Sequence, residues 1–451
     1  MSKRNFILLI IILGLAVIAV FGFLYSRKEA TVPTDGDIDT NFFSRLNPFG
    51  DKAPAPGDTT PEDEDSVSEP EPIPEQEVTL AKLKKVSSVP VAGFTVFMKE
   101  RLKEINPTPT LPLSGEGVIP VPPAKGGSGG FKPTPPPTEF ALALRYADRA
   151  TGNIYQTFVD KIEERKFSET IIPKVYDAYF GKNGESVVMR HLKINDRTIE
   201  TFAGALPKEK LGEDIATNEI KGAFLVDDIK DISLSPDATK IFYLFNSGES
   251  AIGTIYNLSD AKKTQVFDSA FTEWLSFWPS AKIITLTTKP SGSIPGYMYM
   301  IDVDKKNLTK VLGEVNGLTT QMSPNGKLVL YGNNNLSLYI YHPDTKSSEP
   351  LGVNTLPEKC VWNKTNEFVY CAVPTSVAGA VYPDDWYKGE VSFGDQIWKI
   401  NVQNGNATII ADPVEASGED IDGIKLALDT NENYLFFVNK KDSLLWELEL
   451  K

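Results

Sequence analysis

Two histidines and two cysteines are all that a chain of 451 residues offers to soft-metal and thiol chemistry. A structural or catalytic zinc site draws three or four His and Cys ligands together at short spacing, and His191, His342, Cys360 and Cys371 form no such cluster. A disulfide-stapled scaffold is excluded by the same scarcity. A basic surplus is missing too: 46 Lys and Arg stand against 60 Asp and Glu, for a net charge of −14, which argues against a nucleic-acid partner. Long helical periodicities are nearly absent. Gly126 to Gly130 formally match a G-x-S-x-G nucleophile elbow, but that elbow needs a strand and a helix to strain it, and this stretch is a Gly/Ser linker. Asp429, Asn431 and Asn433 mimic the start of a calcium loop, yet Tyr434 stands where its glycine belongs. No metal, no cofactor and no catalytic residue is therefore assigned.

The acidity is local. Residues 29–77 hold fourteen Asp and Glu against Arg45 and Lys52, which is −12 of the −14, and 78–451 carries only −6. With proline throughout and few apolar groups, 29–77 reads as a disordered, extended tether. Before it, 6–25 is free of charge. At about 1.5 Å per residue, about 20 residues cross a hydrocarbon layer of about 30 Å. A cleaved signal peptide is the competing reading, but the run is longer than such segments and no small-x-small cleavage site follows. The expectation is a single-pass anchor in 1–28, with the N-terminus cytoplasmic and the large domain extracytoplasmic.

A repeat organises 78–451. A short apolar strand, a polar turn and a second apolar strand recur, with turns near Lys182, Pro236, Pro279, Pro324, Lys364 and Asn431, at gaps of 54, 43, 45, 40 and 67 residues. Period-2 alternation marks half-buried strands, and roughly 40 to 50 residues per unit is the length of one four-stranded propeller blade. Six clear repeats follow an irregular first one, whose hairpin FTVFMKE and EFALALRY is split by a disordered Pro/Gly insert at 106–138. The chain ends in the phase of a third strand, so 78–88 is expected to supply the missing fourth strand and close the ring. The predicted fold is all-β, a β-propeller of seven four-stranded blades, with six or eight as alternatives.

At SPDATKIFYL and SPNGKLVLYG the chain resembles the WD40-like and TolB-type propeller repeats of bacterial periplasmic and cell-surface proteins, whose S-P-[DN]-x-x-K turn also occurs in the propeller of prolyl oligopeptidases. The resemblance implies a fold and an envelope setting, and it carries no active site. Unlike a prolyl oligopeptidase, the chain is not expected to carry a hydrolase domain after the propeller, which disfavours a peptidase.

The candidate ligand site is the long loop at 374–394, which separates second and third strands and should rise on the face away from the tether. Tyr382, Asp384, Asp385, Trp386 and Tyr387 combine aromatic faces with carboxylates, chemistry that stacks on a sugar or clasps a cationic peptide. The alternative is that Trp386 and Tyr387 merely pack the loop onto neighbouring blades. Cys360 and Cys371 fall opposite each other across a hairpin and, outside the cytoplasm, are expected to form a disulfide, the alternative being two small buried thiols. Taken together, the expectation is a membrane-anchored, extracytoplasmic binding or scaffold module of the cell envelope, holding a protein, peptide or glycan. The alternatives are a propeller enzyme acting on envelope polysaccharide, with Asp384 or Asp385 as acid or base, and a purely structural spacer. Ionisable groups along the central channel would favour the enzyme, and an apolar plug would favour the scaffold.

Overall fold

The computed structural model describes residues 82–103, 136–161, 163–209, 211 and 219–450. The expected anchor and tether, and most of the insert at 106–138, lie outside the described residues. Among the described residues no helix is long and apolar enough to cross a membrane.

Seven antiparallel sheets of four strands each form seven blades. Their first strands are Val91–Leu102, Val175–Phe180, Asp231–Leu234, Trp274–Ser280, Thr319–Met322, Cys360–Trp362 and Gly423–Leu428. From each of these the chain meanders outward in sequence order. First strands of neighbouring blades pack against one another: Val91–Leu102 against Val175–Phe180, Trp274–Ser280 against both Asp231–Leu234 and Thr319–Met322, and Cys360–Trp362 against Gly423–Leu428. The architecture is a seven-bladed propeller with the first strands around its axis. Gly93 marks the tightest of these approaches, since a Cβ there would lie 1.9 Å from the Ala178 carbonyl oxygen.

The alternation in the sequence follows from this radial order. Second strands lie between blades on both faces, so Ile241, Phe242, Tyr243 and Leu244 are all buried in succession. Fourth strands face solvent, and Ser347–Asn354 buries only Leu351 and Val353. Large side chains fill the gaps between blades, as Phe242, Trp274, Trp278 and Leu286 do between the third and fourth, each contributing on the order of 1.5–3 kcal/mol of burial.

Turn chemistry explains the repeated motif. In SPDATK the Ser235 hydroxyl accepts a hydrogen bond from the Lys240 amide at 2.9 Å, and Ala238 takes a positive φ of 53°. Ser323 accepts from the Leu328 amide at 3.0 Å in the same way. Asn363 and Asp429 hold this position in the last two blades, accepting from the amides of Phe368 and Tyr434. A short side-chain acceptor that satisfies the amide five residues on is therefore the common element. Asp429, which also accepts from the amides of Asn431 and Asn433, is a turn former.

The seventh blade takes its outermost strand from the other end of the domain. Leu83–Lys85 pairs with Leu448, Glu447 and Trp446, and the Ser87 hydroxyl accepts from the Leu445 amide. The ring is closed by an N-terminal strand. In the sixth blade Cys360 and Cys371 are directly opposite and joined as a disulfide.

Candidate functional site

The loop at 374–394 leaves strand Phe368–Pro374 and returns as Asp395–Asn401. It carries one short helix, α1 (Asp384–Lys388), with both acids in the first turn, Lys388 in the last, and Gly389 ending it at φ 78°. Loops between second and third strands, and loops between blades, meet on this face. The Gly292 amide of the fourth blade donates to Asp384 Oδ2 at 2.6 Å, Asn334 Nδ2 of the fifth donates to the Gly292 carbonyl at 3.1 Å, and Lys440 Nζ of the seventh donates to the Trp386 carbonyl at 2.6 Å.

The five residues singled out in this loop have different surroundings. Tyr382 and Trp386 are buried with Leu336, Leu356 and Phe393 in a small core of the loop's own. The Tyr382 hydroxyl donates to the Ala378 carbonyl, and the Trp386 indole N–H donates to Asp422 Oδ2 at 2.9 Å. Lys440 Nζ lies 4.2 Å from the centre of the Trp386 ring. Asp384 is occupied by Gly292, and Asp385 accepts from the Val381 amide at 2.8 Å and pairs with Lys388. That amide bond, with help from Lys388, holds the Asp385 carboxyl below the usual carboxylate range. Tyr387 alone stays open, 40% exposed, with its hydroxyl donating to Glu358 Oε2 at 2.7 Å.

Tyr387 and Glu358 form one wall of a recess of about 320 Å³, completed by Asp231, Ser276, Thr287, Thr319, Thr320 and Gln321. Asp231, Ser276, Thr319 and Gln321 lie on the first strands of the third, fourth and fifth blades, and Glu358 precedes that of the sixth. The recess is thus at the axis, on the face that the long loop occupies. Its polar lining combines two carboxyls with hydroxyls and one amide. Asp231 Oδ2 accepts from the amide and hydroxyl of Ser276, both at 2.6 Å. Gln321 donates through Nε2 to the Cys360 carbonyl at 3.1 Å, which leaves its oxygen, Oε1, buried without a hydrogen-bond partner among the described residues. Thr319 Oγ1 is in the same condition. Among the described residues no Lys or Arg lines the recess. Burial pushes the Glu358 carboxyl up to about 7 despite the Tyr387 hydrogen bond, and it pushes Asp231 up to about 6 despite Ser276.

Elsewhere around the first strands charge is paired. Lys425 of the seventh blade reaches Asp177 of the second at 2.5 Å and the Ala92 carbonyl of the first at 2.7 Å, while Tyr179 donates to Asp177. Arg190 lies 3.5 Å from Asp177 and donates to the carbonyls of Ile229 and Lys230. The axis is lined by ionisable groups and is not an apolar plug. His191 is buried against Phe224 with Nε2 3.7 Å from Glu200. Among the described residues no group of three His, Cys, Asp or Glu is placed to hold a metal ion.

Of the five residues singled out in the sequence only Tyr387 lines the recess, and Asp231, Ser276, Thr319, Gln321 and Glu358 were not among them. A signal was available: DISL and TTQM open two first strands with polar side chains alternating against buried Ile232 and Met322.

No protein-family model and no curated protein matches the chain. Among solved structures it is similar to an oligogalacturonate lyase from Vibrio parahaemolyticus, at 9% identity and a TM-score of 0.47 over 69% of this chain and 86% of that one. An oligogalacturonate lyase in complex with manganese is similar at 12% identity and a TM-score of 0.45, with the same coverage. TolB from Acinetobacter baumannii follows at 10% identity and a TM-score of 0.38, over 68% of this chain and 76% of that one. No site residue is carried over from any of them.

Proposed function

We propose that this protein is a membrane-anchored, extracytoplasmic binding module whose axial recess receives a cationic side chain, lysine or arginine, of a peptide or protein of the cell envelope. The carrying observation is the lining of that recess. Two carboxyls, Glu358 and Asp231, share a recess with the Gln321 amide oxygen and the Thr319 hydroxyl, both without a hydrogen-bond partner among the described residues, and no described Lys or Arg lines it. An ammonium or guanidinium supplies several donors and one positive charge, which offsets the burial that raises both carboxyls and so favours their ionised forms. The uncharged run at 6–25, the acidic tether and the Cys360–Cys371 disulfide support the placement outside the cytoplasm. Calorimetric titration of the full chain with short Lys-containing and Arg-containing peptides, and with a neutral oligosaccharide, tests the reading. The peptides should bind, and Glu358→Gln together with Asp231→Asn should weaken them at least ~10-fold, the loss of one charged hydrogen bond. Oligosaccharide binding that both substitutions leave untouched would sink the cationic assignment.

A second reading, a propeller enzyme, rests on the same two carboxyls and on the ionisable groups around the axis, the feature that on sequence grounds favours an enzyme over a scaffold. Raised to about 7 and about 6, the two carboxyls are groups able to exchange protons near neutrality, as acid and base catalysis on a polysaccharide requires. An acid and base pair works best with pKa values held well apart, and these are neighbours, which is why binding is preferred. Turnover of envelope polysaccharide that Glu358→Gln abolishes would reverse the preference.

A further inference from the structure

Beneath α1, between the sixth and seventh blades, Lys359 is fully buried with two carboxylates. Its Nζ donates to Asp395 Oδ2 at 2.8 Å, to the Gly423 carbonyl at 3.1 Å, and to Asp422 Oδ1 at a still closer approach. All three side chains have no exposed surface. The rings of Trp386 and Phe393 cover the ammonium at 5.4 and 5.3 Å. The two carboxylates differ. Asp422 is fully engaged, with Oδ2 accepting from the Trp386 indole, the Ser392 hydroxyl and the Phe393 amide. Asp395 is engaged on one side only: Oδ2 accepts from Lys359 and from the Gly423 amide at 2.7 Å, and Oδ1 is buried with no hydrogen-bond partner among the described residues.

We propose that Lys359 and Asp395 condense into an intramolecular isopeptide bond, with Asp422 as the base. This inference does not depend on the reading of the recess. A plain ion triad is the structural alternative. A dry, close-packed site costs an ion triad much of its Coulombic attraction in lost hydration, and condensation of Lys359 with a protonated Asp395, one proton passing to Asp422, leaves no charge behind. The geometry divides the roles. Lys359 stands at contact distance from the carboxyl it attacks, held there by packing on every side. Because Oδ2 already accepts two hydrogen bonds, the acid proton of Asp395 belongs on Oδ1, and Oδ1 is the oxygen free to leave. The Gly423 amide then stabilises the charge that develops on Oδ2. The ionisation states agree: burial pushes Asp395 up to about 6 even against the pull of Lys359, whereas at Asp422 burial is outweighed by Lys359 and by its hydrogen bonds, which hold that carboxyl below the usual range.

The step balances without an oxidant or cofactor. Asp422 takes one proton from the Lys359 ammonium, and the freed lone pair forms the Nζ–Cγ bond to Asp395. The Cγ–Oδ1 bond breaks, and Oδ1 departs with its own acid proton and a second proton from the nitrogen, as water. The third proton stays on the amide, Asp422 ends protonated, and Oδ2 becomes the amide oxygen.

Mass spectrometry of the full chain, reduced and denatured, reads the outcome directly. The wild-type protein should be lighter than its sequence by one water, and a tryptic digest should yield a branched peptide joining the segment around Lys359 to the segment around Asp395. Lys359→Arg, which keeps the charge, should restore the full sequence mass. Asp422→Asn, which keeps the shape, should slow or abolish the loss. A folded wild-type chain at full mass overturns the proposal. So does a missing water that persists in Lys359→Arg, since dehydration then lies elsewhere. A branch at Asp422 overturns the division of roles. Should Lys359→Arg fail to fold, the presence or absence of the branched peptide in the wild type still decides.

Discussion

Replacing Glu358 with glutamine should make the propeller more stable at alkaline pH and, by the same stroke, weaken its recess as a cation receptor. Burial moves this carboxyl from 4.5 to about 7. An acid raised in the folded state contributes stability that is full below the unfolded value and is lost as pH rises through the folded one. For Glu358 that window runs from 4.5 to about 7. At ~1.4 kcal/mol per unit the shift corresponds to ~3 kcal/mol, and the opening of the recess to water reduces this to ~1–2 kcal/mol. Glutamine keeps the shape and still accepts the Tyr387 hydroxyl, but it never ionises. Wild type and variant should therefore melt together at pH 4.5 and separate progressively to pH 8, where the variant is the more stable. With an unfolding entropy of ~2 cal/mol/K per residue, the gap is about 1–3 °C in Tm for a propeller of this size. Differential scanning calorimetry at pH 4.5, 6 and 8 measures it, alongside peptide titration at the same values. A gap that does not change with pH, or a variant less stable at pH 8, refutes the assignment of a Glu358 carboxyl raised by burial.

Two further outcomes follow from the loop and its blade. Trp386→Ala removes a buried ring, its hydrogen bond to Asp422 and the cover over Lys359; it should cost ~3–5 kcal/mol, and hydrogen exchange should show 374–394 losing protection while the first three blades keep theirs. Replacing Cys360 and Cys371 together with serine opens a cross-link spanning 11 residues, for an expected loss of ~3 kcal/mol on the chain-entropy account, and reductant should lower the Tm of the wild type but not of the double variant.

The blades were legible because their information is local. A Ser or Asn opening a turn, a positive φ at the fourth position and alternating apolar residues on either side are all contained in about fifteen consecutive residues, as in SPDATKIFYL. The closing strand was legible from phase, since seven hairpin units left one outer position empty. The recess was not legible, because Asp231, Ser276, Gln321 and Glu358 come from four successive blades and meet only once the ring sets their distances. Trp386 shows a different limit. Its sequence neighbours, two acids and two tyrosines, suggest a sugar-stacking surface. Its direction is decided by Lys359 and Asp422, 27 and 36 residues away, whose buried charge draws the indole N–H and the ring face inward. Tyr387, one residue on, faces the recess because helical geometry turns successive side chains about 100° apart.

The strand at Leu83–Lys85 has a kinetic meaning as well as a geometric one. Its partner, Leu445–Glu449, is more than 350 residues away, so the seam is the contact with the greatest loop to close and should be the last to form. Until it forms, Leu445–Glu449 is a bare edge, and an edge accepts any strand of suitable pattern. A peptide copying the closing strand, supplied during refolding, should occupy that edge and trap an open ring, and a second copy of the chain could do the same through its own N-terminal strand. Order of assembly, rather than depth of the core, is then what decides whether the chain refolds as a monomer or as an exchanged dimer.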